Sequence, residues 1–262
     1  MDTMSATIVV TNMTSTSEYE LPKSVDAMII GLLNALIFVI GLVGNTMVIL
    51  AVLLSKKLQT ASNTFIVNLA VADLLTCLVM PLFTTAQWVR YYSSSLEGLC
   101  RVATGVVHTC IGGSIFTLAA IALNRYILIW SPHRIYRKVY TPKVLFVWIT
   151  LIWLITISLS ILPPLAFDVG KLGFDVSVHT CVSLRDYHSS KLYENLLVVG
   201  FYPLPLLIIT ISYVGIFIRI TKHTRRLNKS RDNLTTAAPD KMGRLYILNC
   251  KSNKTSRREV FT

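Results

Sequence analysis

The chain alternates between long apolar runs and short polar connections. Residues 27–55, 102–124, 144–167 and 195–218 contain no Asp, Glu, Lys or Arg, and residues 58–89 contain a single one, Asp73. A helix rises about 1.5 Å per residue, so about 20 residues cross the roughly 30 Å hydrocarbon core of a bilayer. Each run is long enough. Peptide groups in hydrocarbon must be hydrogen-bonded within their own segment, so the runs are read as helices. Beyond Arg219 the longest uncharged run is residues 233–239, too short to cross. The pattern predicts an all-α integral membrane helical bundle with five transmembrane helices, at about 27–55, 63–89, 98–130, 143–166 and 193–222. Residues 1–24 form a tail, 25–222 the helical domain, and 223–262 a basic segment without regular structure from about residue 228.

Composition agrees. Of 262 residues, 53% are hydrophobic and only 15% charged, and the mean hydropathy is +0.59. Such a chain is too apolar for a disordered protein and too apolar for an ordinary soluble enzyme. Its 12 glycines exclude a collagen-like repeat, and its 5 cysteines exclude a disulfide-dense secreted module.

Charge then sets the orientation. The net charge of +12 would suit a nucleic-acid partner if it were spread evenly. It is not spread evenly. The connections at 55–62 and 131–143, with the segment from Arg219 onward, hold 18 Lys and Arg, against 6 in the other tail and loops. Lys and Arg gather on the cytosolic side of membrane proteins, so the N-terminus is placed outside and the C-terminal segment in the cytosol. The excess is a topology signature, and no nucleic-acid partner is expected. Residues 1–13 lack the basic start and apolar centre of a cleavable signal peptide, so the first helix is expected to direct its own insertion. Asn12 begins a glycosylation sequon on the outer tail.

A few residues break the apolar pattern. Asp73 sits mid-helix, where a bare carboxylate costs about 2.5–3.5 kcal/mol on insertion scales, so it must face the bundle interior and find a partner. Asn45 and Ser114 lie at matching depths on neighbouring helices. Arg125 closes the third apolar run and is followed by Tyr126; taken alone it reads as an interfacial arginine reaching for headgroups. Cys100 and Cys181 both fall on the oxidising side, where a disulfide is chemically allowed and would pin the loop 167–193 over the third helix. Pro81, Pro163, Pro164, Pro203 and Pro205 mark helix bends or ends.

These residues, in this order, resemble a rhodopsin-like (class A) G-protein-coupled receptor. The resemblance rests on Gly44-Asn45 in the first helix and Asn68-Leu69-Ala70-Val71-Ala72-Asp73-Leu74 in the second. In the third, Cys100 precedes Arg125 by 25 residues, and Asn124-Arg125-Tyr126 is followed by Pro132. Trp153 with Pro163, and Pro205 with Tyr213, complete the series. The match covers roughly residues 25–222.

The resemblance implies roles. Asp73 and Ser114, with Asn45 nearby, would belong to a sodium and water pocket; beyond a possible sodium ion no cofactor is expected. Asn124, Arg125, Tyr126 and Tyr213 would form the switch that meets a heterotrimeric G protein. Cys100 and Cys181 would form the outer disulfide, and Trp153 would be structural or face lipid or sterol. An unknown extracellular ligand would shift the bundle between two arrangements. The aspartate that amine receptors use falls at Val107, which argues against a monoamine. Gln87, His108 and Phe201 join Val107 as candidates for a mainly apolar pocket. Asn124 stands where most relatives carry an acid. Melatonin receptors share the Asn-Arg-Tyr triplet, and Ile111-Gly112-Gly113-Ser114-Ile115-Phe116 also resembles theirs.

The expected localisation is the plasma membrane, multi-pass, in contact with the lipid bilayer and with a receptor dimer as a further partner. Only five of the family's seven helices fit the sequence, and residues 254–262 resemble the basic approach to a sixth. The first expectation is therefore receptor activity carried by a longer chain. A second is a five-helix product that modulates full-length receptors. A third is a small transporter, against which stand the lack of an inverted repeat and the single mid-membrane charge. No paired intramembrane acids, metal-spaced histidines or nucleophile elbow point to an enzyme.

Overall fold

The computed structural model describes residues 24–86, 94–185 and 187–258. Asn12 and Gln87 lie outside these residues. Helix α1 (Ser24–Leu54) passes through a short 3-10 turn (Lys56–Leu58) to α2 (Ala61–Ala86), and α3 (Ser94–Trp130) follows. A cytosolic helix, α4 (His133–Val139), leads to α5 (Pro142–Ser160) and the single turn α6 (Leu162–Ala166). Strands β1 (Leu172–Asp175) and β2 (Thr180–Ser183) form a hairpin, after which come α7 (Ser190–Phe201) and α8 (Pro203–Arg258). Among the described residues, five helical segments are long and apolar enough to cross a membrane: Met28–Leu54, Ala61–Ala86, Ser95–Trp130, Pro142–Ser160 and Ser190–Ser230.

Local chemistry explains the breaks. Pro142 opens α5, where its missing N–H is no loss, and the Thr141 hydroxyl accepts from the Val144 N–H as an N-cap. The fourth apolar run was expected to be one helix over 143–166. Pro163 and Pro164 instead end α5 at Ser160, and the chain restarts as α6, because a proline withholds one N–H and crowds the preceding turn. Pro203 and Pro205 likewise split the fifth run at Tyr202 into α7 and α8.

Two features differ from expectation. The outer loop 167–193, read without strands, contains the antiparallel hairpin, with Phe174 paired to Cys181 and Leu172 to Ser183. The segment beyond residue 228, expected to be irregular, continues as helix to Arg258. Residues 229–258 hold eight Lys and Arg, which favour helix, against one Pro and one Gly, and prolonging an existing helix requires no new nucleus.

Helix α3 is the axis of the molecule, packed against α2, α5, α8 and both strands. Small residues let the backbones approach: Ala70 and Ala72 of α2 and Ala103, Ala119 and Ala122 of α3 are buried. Larger apolar side chains such as Leu32, Phe146, Val199 and Phe217 face outward, as a lipid-covered bundle requires.

Candidate functional site

The functional candidates lie at three depths along α3. At the outer end, Cys100 and Cys181 are disulfide-bonded, and Ala86, Phe174, Phe83, Leu96 and Val176 pack around the bridge. Glu97 reinforces it: one of its carboxylate oxygens lies 3.4 Å from Arg101 and 3.5 Å from Lys171, tying α3 to the approach to β1. Gly170 adopts φ +79°, and a Cβ there would come within 2.7 Å of the Tyr193 side chain. A glycine is thus required where the loop crosses α7.

About two turns deeper, α3, α5 and α7 share a hydrogen-bond chain. The Tyr193 hydroxyl donates to the Ser160 carbonyl at 2.7 Å and lies 3.1 Å from His108 Nδ1. Tyr193 has one hydrogen and a carbonyl can only accept, so His108 Nδ1 carries the other hydrogen and its Nε2 is the acceptor nitrogen when the ring is neutral. Thr109 meets Ser160 at 2.6 Å in the same layer. Val107 is half-buried. Phe201 is only 3% exposed, and its ring sits where a Cβ on Gly112 would be 2.7 Å away. Its position is that of a packing residue between α7 and α3.

At mid-depth, Ser114 donates to the Asp73 carboxylate at 3.3 Å, joining α3 to α2 as expected of neighbours. Asn45 turns its amide to the Gly41 carbonyl of its own helix, at 3.0 Å. A second polar node lies deeper. The Asn68 amide donates to Thr117 at 2.8 Å and accepts from the Trp153 indole N–H at 3.0 Å, joining α2, α3 and α5. Trp153, read from sequence as structural or facing lipid or sterol, thus directs its polar edge into the bundle.

At the cytosolic end, Asn124 is fully buried and Arg125 exposed. The Tyr136 hydroxyl of α4 donates to the Asn124 carbonyl oxygen at 2.9 Å, while the Asn124 amide nitrogen is buried with no partner among the described residues. Burial pushes the Tyr136 phenol up, against the opposing effect of that hydrogen bond; burial and the neighbouring Tyr136 push Tyr140 up to about 12. Tyr126 packs its ring on Gly215 of α8. The Trp130 indole donates to the Gly215 carbonyl at 3.3 Å, and Arg219 lies 5.2 Å from the Trp130 ring centre. Among the described residues, neither Arg125 nor Tyr213 has a hydrogen-bond partner, and Tyr213 is 45% exposed. The structure does not bring these two together.

Sequence reading named the ends of these contacts and missed their partners. Tyr136, Tyr193, Ser160 and Thr117 carry no motif of their own. Asn68 stood inside the second-helix signature without being assigned a role.

A bundle of membrane-length helices, pinned outside by a disulfide and carrying buried polar nodes along its central helix, defines a membrane-receptor architecture. The family model described as 7 transmembrane receptor (rhodopsin family) matches residues 44–258, and the chain belongs to that family. It is 34% identical over 191 residues to the melatonin receptor type 1B of Homo sapiens, covering 71% of this chain and 50% of that one. It is 34% identical over 200 residues to the melatonin receptor type 1B-A of Danio rerio, covering 75% of this chain and 67% of that one. To the protein trapped in endoderm-1 of Drosophila melanogaster it is 32% identical over 208 residues, with 79% and 52% covered. The crystal structure of squid rhodopsin shares the fold at a TM-score of 0.68 and 24% identity, covering 83% of this chain and 62% of that one. The chain spans about half the length of most of these curated relatives. It is a multi-pass protein of the plasma membrane, and melatonin receptors are among its relatives, as the triplet Asn124-Arg125-Tyr126 implied.

Proposed function

We propose that this chain carries the signal-transducing part of a G-protein-coupled receptor, passing the binding of an extracellular ligand to a heterotrimeric G protein. The observation that carries the reading is the asymmetry of α3. Its outer end is covalently fixed at Cys100, while Arg125 at its cytosolic end is exposed. A helix held at one end and open at the other transmits a tilt or rotation to whatever binds the open end. His108, with its acceptor nitrogen, and Val107 supply a polar and an apolar contact for a ligand entering from outside. Arg125, with Tyr126 beside it, offers a cation to the carbonyls or carboxylates of an inserted partner helix.

Asp73 and Ser114 present two oxygens from facing helices, hard donors of the kind a sodium ion accepts. In this reading the ion offsets the charge of Asp73 and favours the resting arrangement, and Asp73→Asn removes any sodium dependence of partner coupling.

The test is nucleotide exchange by a purified heterotrimer on membranes containing the protein. Exchange above that of empty membranes, lost in Arg125→Ala at unchanged expression, is expected. Equal exchange in Arg125→Ala, or none above empty membranes, overturns the reading.

A further inference from the structure

A cavity of about 500 Å3 opens between the outer turns of α3, the α5–α6 break and the approach to β1. Its apolar walls include Val102, Val106, Ile161 and Leu165; Arg101 and Lys171 stand at its rim. It is not the pocket considered above. At 3.6 residues per turn, Val107 points about 140° one way around α3 from Val102 and His108 about 120° the other way. Ile111, about two and a half turns on, lies on the opposite side of the helix.

The depth of the cavity follows from the sequence. The uncharged run of α3 begins at Val102, directly after Arg101, and the uncharged run through α5 and α6 ends at Phe167, directly before Asp168. The cavity therefore straddles the outer boundary between hydrocarbon and water. Beside it, Val102 is 66% and Leu165 76% exposed, surfaces that only acyl chains would cover. The proline-forced break after Ser160 makes room for it, since a continuous helix there would keep side chains packed against α3.

The charges at the rim select a head group. Arg101 and Lys171 share a single Glu97 oxygen, at 3.4 and 3.5 Å. A guanidinium has five donors and an ammonium three, so one oxygen leaves most of them for another acceptor. Asp168, the acidic lining residue, lies beside Tyr187 and pushes that phenol up.

We propose that this cavity binds a single-chain anionic amphiphile from the outer leaflet, a fatty-acid carboxylate whose head lies against Arg101 and Lys171 and whose tail runs along Val102, Val106 and Leu165. The volume falls within the range of about 300–1,000 Å3 usual for small-molecule sites and accommodates an acyl chain.

The experiment uses the whole chain in lipid nanodiscs and a photoactivatable analogue of oleate, with labelled peptides mapped by mass spectrometry. Saturable labelling within residues 102–106 and 161–165 is expected, displaced by oleate and not by methyl oleate, which lacks the charge. The double variant R101Q/K171Q weakens oleate binding by about tenfold or more. Val106→Trp fills the cavity, keeps both cations and abolishes site labelling. Asp168→Asn tightens binding a few-fold by removing the rim's anion, a gain that a misfolded protein would not give. An intact Cys100–Cys181 bridge, checked by thiol titration, certifies each variant. Labelling that is unsaturable or equal on α1, equal competition by methyl oleate or by a two-chain anionic phospholipid, or wild-type labelling in Val106→Trp overturns the proposal.

Discussion

The two ends of α3 are held by different physics. The outer end has a disulfide, two ion pairs through Glu97, a strand hairpin laid across it and a hydrogen-bond chain through Tyr193. Among the described residues, the cytosolic end has two side-chain hydrogen bonds, from Tyr136 to Asn124 and from Trp130 to the Gly215 carbonyl, the Arg219 cation over the Trp130 ring, and the Asn124 amide nitrogen buried without a partner. A buried polar group without a partner costs about 1–3 kcal/mol, but among the described residues both ends carry such groups, Thr104, His179 and Ser183 outside and Asn124 inside. It is the covalent tie at Cys100, which the cytosolic end lacks among those residues, that makes the outer arrangement the more settled of the two. The contrast teaches where motion is permitted. A receptor whose outer end were as loose would spend ligand binding on ordering itself, and one whose inner end were as tight would not respond.

Breaking the covalent restraint tests the contrast most severely. The bridge joins residues 81 apart in sequence, and in the chain-entropy account a loop of that size contributes about 4 kcal/mol. Cys181→Ser is expected to lower the unfolding midpoint in detergent more than any other single change discussed here, and to reduce surface delivery. Normal delivery and an unchanged midpoint would refute the claim that the outer end is fixed by its disulfide.

Next in size is the pivot between the two ends. Asn68→Ala removes the acceptor of the Trp153 N–H and the donor to Thr117 in one step. A loss of about 1–3 kcal/mol is expected, smaller if the freed groups find new partners. The readout is hydrogen exchange in both halves of α3. Loosening confined to one half would show that the node belongs to that end and does not couple them.

How far the sequence carries a reader depends on the kind of signal. The five spans were legible because a bilayer imposes a length and a charge rule on every residue. Cys100 with Cys181 was legible from sidedness. The helix ends were less so: the pair Pro163 and Pro164 was visible, yet the restart at Leu162 depends on how the loop folds back. The hairpin was missed because its register is set by the disulfide and by Phe174 packing on it, with no hairpin turn signature at residues 176–179. Asp73 and Ser114 share a depth, which a ruler along each helix reveals. Asn45 shares the depth too, but its side chain found a carbonyl one turn away. Tyr136 was invisible: nothing in the composition of α4 says which of its tyrosines reaches Asn124.

That tyrosine offers the sharper cytosolic test. Tyr136→Phe removes one hydrogen bond and leaves the Asn124 side chain wholly unpaired, at a cost of about 1 kcal/mol or a little more. Loss of a contact that ties α4 to the cytosolic end of α3 is expected to raise basal nucleotide exchange. Asn124→Asp should do the reverse, since a carboxylate accepts the Tyr136 hydroxyl more strongly and gives Arg125 an adjacent counter-charge. Opposite shifts in exchange would support the contact as a restraint. Equal shifts of the same sign would make it mere packing.

The smallest effect concerns Tyr140, stacked 5.0 Å from Tyr136. Its phenol is pushed up to about 12, by burial first and by Tyr136 second. A group with a raised folded pKa holds its proton more tightly when folded. Its contribution to stability is thus complete below about pH 10 and is lost as the pH rises toward about 12. The phenol is partly open to solvent, so the change is modest. It should nevertheless be local: phenolate absorbance and loss of protection in α4 should appear together over that pH window, while the disulfide-held hairpin keeps its exchange rates. Tyr140→Phe should remove the transition. Were the hairpin to loosen over the same window, or were the Phe variant to titrate unchanged, the cytosolic layer would not be the independent unit that the comparison of the two ends requires.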